Sequence, residues 1–144
     1  MRAIAEQLAT IINRYTEKIQ HIDAPSLSLK PGKDKWSKKE IPGHLIDSAE
    51  NNIQRFISVQ YEPEPNIAYN QDEWVKAQCY NEWSQEDLLG LWQLSNKQIG
   101  SILKNFPEEK KTLTAYMNTE LCTIEYIAQD YIRHLLHHLN QIIS

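Results

Sequence analysis

Three of the five histidines in this 144-residue chain lie near its C-terminal end, within Tyr131-Ile132-Arg133-His134-Leu135-Leu136-His137-His138-Leu139-Asn140-Gln141. On a helix, His134 and His138 fall about 40° apart on one face, one turn above the other. At that spacing two imidazoles can share one metal ion. Ile124, Ile127, Tyr131, His134, His138 and Gln141 recur in steps of three and four, a seam that points inward in a helical bundle. The two histidines therefore stand where core residues would normally be. Two imidazoles alone hold a cation weakly, and His44 is the candidate third ligand. Three neutral imidazoles leave a further position open for water or substrate, and a bound cation lowers that ligand's pKa toward neutrality. Zincin proteases need a glutamate directly after the first histidine as general base. Leu135 stands there instead, which argues against peptidase chemistry of that kind. Asp130, one turn before His134, and Asp47, close to His44, are placed to orient imidazoles as hydrogen-bond acceptors, although each is equally at home as a solvated helix acid. The competing reading of the histidines is a satisfied, partly buried pair with no metal. His137 lies about 60° to the other side of His134, and it and His21 read as surface residues.

Four stretches of helical periodicity must carry these groups. Ile4, Leu8, Ile11, Ile12, Tyr15 and Ile19 predict a first helix over residues 2–21. Trp36-Ser37-Lys38-Lys39-Glu40-Ile41 and Trp83-Ser84-Gln85-Glu86-Asp87-Leu88 each combine a serine N-cap, an acidic residue three positions on and a Trp/aliphatic staple. They start a second helix over 38–61, with an irregular opening turn at Pro42-Gly43, and a third over 85–104. The third has Leu88, Leu91, Trp92, Ile99, Ile102 and Leu103 as its apolar positions. Thr123 caps a fourth helix that runs almost to residue 144. A short hairpin is expected within residues 111–117. Between helices two and three, residues 62–83 are long for a bundle connection. Extended chain covers about 3.3 Å per residue, enough to return along a helix of roughly 30 Å and let helices two and three run parallel. The fold predicted is all-α, a four-helix up-down-down-up bundle with a long crossover between helices two and three. In that order helices two and four are antiparallel, and the start of one lies level with the end of the other. His44 thereby meets His134 and His138. Helix two also bears a polar stripe, His44, Ser48, Asn51 and Arg55, beside its apolar positions, which suggests a wet cavity.

The length suits a single domain over residues 1–144 with a core that needs no disulfide. Cys79 and Cys122 match no metal or redox spacing and read as small buried hydrophobes in a reducing compartment. With 15 Lys plus Arg against 19 Asp plus Glu there is no basic surplus for phosphates, so nucleic acid is not an expected partner. The opening residues lack the apolar core of a signal peptide, and no apolar run approaches the roughly 20 residues of a membrane span. A soluble, cytoplasmic protein is expected. On helix four, Ala128, Ile132, Leu135, Leu136, Leu139, Ile142 and Ile143 form an apolar arc wider than one bundle seam requires. The arc is read as a homodimer interface, the alternative being that helices one and three cover it within one chain.

Trp36-Ser37, then Pro42-Gly43-His44-Leu45-Ile46-Asp47-Ser48, then Tyr69-Asn70-Gln71-Asp72-Glu73-Trp74, then the terminal Asp130 to Ile142 stretch with its His-x-x-x-His-x-x-Gln-Ile, together resemble the DinB/YfiT-like superfamily of metal-dependent enzymes over nearly the whole chain. The resemblance implies the same bundle topology with a divalent metal cation, zinc or nickel in different members, held by three histidines. By position these are His44, His134 and His138. It also implies a homodimer and a small-molecule substrate. Members include S-transferases that use bacillithiol, mycothiol or similar low-molecular-weight thiols, so the activity implied is transfer of such a thiol to a small electrophile. A coordinated thiol is deprotonated outright, which makes that chemistry sound. Two alternatives stand beside it. One is a metal-dependent hydrolase with a metal-bound water as nucleophile and Asp47 as the nearest base. The other is a non-catalytic bundle acting as a binding module.

Overall fold

All four periodic segments fold as long helices with most of their apolar positions buried, in a computed structural model that describes all 144 residues. In chain order the elements are α1 (Arg2–Gln20), α2 (Ala24–Ser28), α3 (Glu40–Ser58), α4 (Gln71–Gln78), α5 (Gln85–Lys104), the strands β1 (Thr114–Met117) and β2 (Glu120–Thr123), and α6 (Ile124–Ile143). Helices α1, α3, α5 and α6 are the bundle. Side-chain caps mark the starts of α3, α5 and α6, whereas α1 opens after Met1 without one. Ser84 Oγ accepts from the Asp87 N–H at 3.0 Å, and Thr123 Oγ1 from the Tyr126 N–H at 3.2 Å. At α3 the capping box closes in both directions: the Glu40 N–H reaches Ser37 Oγ at 3.0 Å and the Ser37 N–H reaches Glu40 Oε1 at 3.1 Å. Regular helix nonetheless begins at Glu40, two residues later than the spacing predicts, because Pro42 has no N–H to give to the Lys38 carbonyl. It ends at Ser58 rather than 61, where the Gln60 and Tyr61 amides tighten onto the Ile57 and Ser58 carbonyls.

The up-down-down-up order is fixed by contacts between helix ends. Gln85, opening α5, donates to the Ile19 carbonyl near the end of α1, so these two are antiparallel. The Tyr15 hydroxyl bonds Asn140 at 2.8 Å, joining the C-terminal halves of α1 and α6, which are parallel. Lys38 Nζ meets the Ser144 carbonyl at 2.8 Å, which brings the start of α3 to the end of α6. Ser37 and Asn81, preceding α3 and α5, bond at 2.7 Å, so α3 and α5 run parallel. Helices α1 and α3 each pack on both α5 and α6. The core between them includes fully buried Phe56, Trp92, Ile99, Leu103 and Leu139.

Between α3 and α5 the crossover is more structured than an extended return. It contains α4, whose Asn70 cap accepts from the Glu73 N–H at 3.1 Å, and a 3₁₀ turn over Tyr80–Glu82. Hairpin formation falls partly outside the expected window: residues 114–117 supply one strand, and its antiparallel partner is Glu120–Thr123, beyond it. Asn118, at φ 59° in the connecting turn, takes the left-handed conformation that asparagine tolerates. The hairpin also clasps the crossover, since the Tyr116 N–H donates to the Pro65 carbonyl at 3.0 Å.

Several expectations need correction. Cys79 is exposed and Cys122 only partly covered, because Cys79 terminates α4 in a left-handed turn (φ 52°) at the surface and Cys122 lies in the two-stranded hairpin. Leu91 on α5 is exposed, on the side away from the bundle seam. On α6 the apolar arc is not left over. Ala128, Ile132, Leu135, Leu139 and Ile142 are buried and Leu136 packs against the core, leaving Ile143 exposed in the last turn. The neighbouring helices cover that arc within the chain, and it provides no free strip for a second copy. No helix is long and apolar enough to cross a membrane.

Candidate metal centre

His44 sits on the second turn of α3, completely buried, while His134 and His138 project from successive turns of α6 and are partly buried. Because α3 and α6 are antiparallel, the three rings meet at one level of the bundle. Their centroids lie 4.6 to 5.1 Å apart. One nitrogen from each falls within 4.8 Å of the others, and the Nε2 atoms of His44 and His134 are 3.2 Å apart. Two ligands at the usual Zn–N distance and tetrahedral angle are separated by about 3.3 Å. The spacing therefore suits a divalent cation bound between them.

Protonation points the same way. Burial, followed by the neighbouring imidazoles, pushes the His44 pKa down to about 3, and burial with His138 lowers that of His134 to about 4. Burial also lowers His138. All three are neutral near pH 7, the form that offers a lone pair. His138 Nδ1 lies 2.9 Å from Gln141 Oε1, which accepts its proton and leaves Nε2 free as a ligand atom. Gln141 in turn donates from Nε2 to the exposed His137 at 3.4 Å. His44 Nδ1 is buried without a partner, which leaves Nε2, facing His134, as the nitrogen directed into the cluster. The donor set fits a cation.

Trp36, assigned to a helix staple from sequence, also walls the site. Its ring lies 4.6 Å from His44 and 6.2 Å from His138. Asp47 does not bond an imidazole. Its Oδ1 accepts from the Tyr80 hydroxyl at 2.6 Å and from Gln78 at 3.1 Å, tying α3 to the crossover, and burial raises its pKa. Room for the Tyr80 ring comes from Gly43, where a Cβ would stand 2.1 Å from the ring. Asp130 pairs with Arg133 at 3.2 Å, and its charge acts on His134 from the rim. Sequence reasoning misses the roles of Trp36, Tyr80 and Gln141. Only Gln141 carries a readable signal, its three- and four-residue spacing from His138 and His137.

Beside His134 a polar cavity of about 450 Å³ opens between α3, α6, the crossover and the hairpin. Ser48 and Arg55 of the expected polar stripe line it, together with Asn52, Tyr69, Asp130 and Tyr131. Asn51 instead turns its amide back to the Asp47 carbonyl at 2.8 Å. A second cavity of about 530 Å³ touches His138 and Trp36 from the other side. The histidines thus stand in the wall between two recesses, reachable by a small molecule.

A family model described as the DinB superfamily matches residues 7–142. Among solved structures, YfiT from Bacillus subtilis superposes with a TM-score of 0.82 at 19% identity, over 96% of this chain and 83% of that one. It is described as a probable metal-dependent hydrolase with an unusual four-helix bundle topology. A DinB-like protein, YjoA from the same bacterium, superposes with a TM-score of 0.69 at 18% identity, over 97% of this chain and 87% of that one. No curated protein matches the sequence.

Proposed function

This chain belongs to the DinB superfamily, and on that premise we propose that it is a divalent-metal-dependent enzyme that transfers a low-molecular-weight thiol to a small electrophile. The observation that carries the reading is the convergence of His44, His134 and His138, all neutral, at the edge of the polar cavity. These residues would hold the cation. When bound, it would lower the pKa of a thiol or water in its open position. Gln141 orients the His138 ring, and Trp36 shields the buried side of His44 from solvent. The transferase reading is favoured over hydrolysis by the state of Asp47. The carboxyl nearest His44 in sequence is turned to Tyr80 and Gln78 through Oδ1, its Oδ2 is buried, and it lines neither recess beside the histidines, so it does not face a water there. A thiol is the stronger acid, and with a cation held by these residues it would give its proton to solvent without such a base.

Hydrolysis is the second reading. It is supported by the description of YfiT and by Asp130, a half-exposed carboxylate on the rim of the same cavity as His134. Metal analysis of protein purified without a histidine tag tests the common premise, and a metal-free, metal-indifferent protein would leave a binding module. Thiol conjugation assayed beside an ester and amide panel then separates the two chemistries. The homodimer implied by the resemblance is a separate proposal, and a mass near 17 kDa by sedimentation would reject it.

A further inference from the structure

Arg55 is the only arginine in the protein whose side chain is buried, and it is 8% exposed. No carboxylate lies within ion-pair distance of it. Its Nη1 donates to Asn52 Oδ1 at 3.1 Å and its Nη2 to the Ile67 carbonyl, both neutral oxygens. Two of five guanidinium hydrogens are thereby spent, and the buried Nε–H has no acceptor. A buried cation without a counter-ion is costly, and burial accordingly lowers its pKa. The neighbours hold the guanidinium in place without neutralising it. Asn52 is itself anchored, its amide donating to the Ser48 carbonyl at 2.8 Å. Asp130, the one acid lining the cavity, is turned to Arg133 at the surface.

The position of this charge relative to the histidines follows from helix geometry. Arg55 is eleven residues after His44, three turns and about 20°, so both project from the same side of α3. The arm leans back toward the N-terminus, as its bond to Asn52 shows. That leaves on the order of 10 Å between the guanidinium and the imidazoles. Both Arg55 and His134 line the same cavity.

We propose that this cavity binds an organic anion, with a carboxylate of the substrate paired to Arg55 and the reactive end lying against His134 roughly 10 Å away. This deepens the metal-dependent reading and rests on it for the reactive end, but not for the carboxylate end. The substrate class is a carboxylate-bearing small molecule whose acid and reacting atom are separated by six to eight bonds or so. The Arg–carboxylate pair would be water-excluded and charge-assisted.

A molecular ruler tests it. Mercaptopropionate, mercaptohexanoate and mercaptooctanoate, with thiol and carboxylate at opposite ends, are titrated into cobalt-loaded protein and followed by the thiolate-to-cobalt absorbance. The two longer acids should bind at least tenfold more tightly than the shortest and than their own methyl esters. Arg55→Gln should remove the acid-over-ester preference while leaving the cobalt stoichiometry and ester affinity unchanged. If Arg55→Gln fails to fold, Arg55→Lys, which keeps charge but loses the fork, should weaken acid binding severalfold, and the wild-type acid-to-ester ratio still decides. Equal binding of acids and esters by the wild type overturns the proposal. In metal-free protein, suberate should raise the melting temperature of the wild type and not of Arg55→Gln. If cobalt does not bind while suberate does, the metal reading fails and the anion site stands. If suberate leaves the metal-free wild type unchanged, the anion site fails.

Discussion

Replacing Gly43 with alanine should unfold the connection between the histidine helix and the crossover, although alanine is normally the better helix residue. A Cβ at this position would stand 2.1, 2.4 and 2.6 Å from three atoms of the Tyr80 ring. These atoms include Cγ, close to the backbone, so a small swing of the ring tip cannot relieve the clash. The ring must leave a site where it is 1% exposed, and its hydroxyl must give up Asp47. Loss of a large aromatic from a core costs about 3–5 kcal/mol, and stripping a buried carboxylate of a donor costs about 1–3 kcal/mol. The exchange of glycine for alanine returns about 1 kcal/mol of helix propensity. Partial relaxation limits the sum, and a net loss of about 3–5 kcal/mol is expected, or roughly 10–15 °C in Tm for a domain of this size. Thermal melts of metal-free protein provide the assay, with two internal controls. At Gly90 and Gly100 on α5 an added Cβ would meet nothing within 4 Å, so Gly90→Ala and Gly100→Ala should each raise stability by up to about 1 kcal/mol. In a Tyr80→Ala background, Gly43→Ala should cost nothing further. A Gly43→Ala protein that melts with the wild type, or a loss undiminished by Tyr80→Ala, would refute the close-approach argument.

Alanine at His44, His134 or His138 should each abolish stoichiometric binding of zinc or nickel by metal analysis, with helix content by circular dichroism largely kept, whereas His137→Ala should bind as the wild type does. Gln141→Leu, which frees the His138 ring, should weaken metal binding by about 10–100-fold in a competition titration and leave the fold unchanged. Metal-free protein should lose stability as pH falls below about 6.5, the ordinary histidine pKa. The unfolded histidines take protons there, while His44 and His134 stay neutral down to about 3 and about 4. Each group contributes a slope of up to about 1.4 kcal/mol per pH unit across that window. Chemical denaturation between pH 7 and 5 should show this slope, reduced in His44→Phe.

What can be read from the sequence is whatever depends on periodicity and local bonds. The four long helices, the Ser84 and Thr123 caps and the Ser37–Glu40 box follow from residues within one turn of each other. The meeting of His44 with the α6 pair follows from one further inference, that a long crossover makes α3 and α6 antiparallel. Contacts that form across the crossover cannot be read this way. Tyr80 finds Asp47 and Gly43 from more than thirty residues away, and nothing local in Tyr80-Asn81-Glu82 specifies that. Helix α4 buries one side chain, Val75, so it shows no apolar stripe. Its Asn70-x-x-Glu73 cap is the only available sign. The width of the α6 arc is legible, but not its cover, because which helix faces which is decided by packing rather than by one helix's own pattern.

The histidines and one wall of their cavity are built from different kinds of chain. His44 and His134 stand on helices locked into the common core. Ile67, Ala68 and Tyr69 come from irregular crossover, and Met117 and Asn118 from the hairpin tip, joined to one another through the Pro65–Tyr116 clasp. Lineages descended from such a protein can therefore exchange that wall of the recess by insertion or substitution in two surface segments, while the helices that carry the histidines keep their geometry. One wall of the recess can thus vary through stretches of gene separate from those that encode the histidines and Arg55.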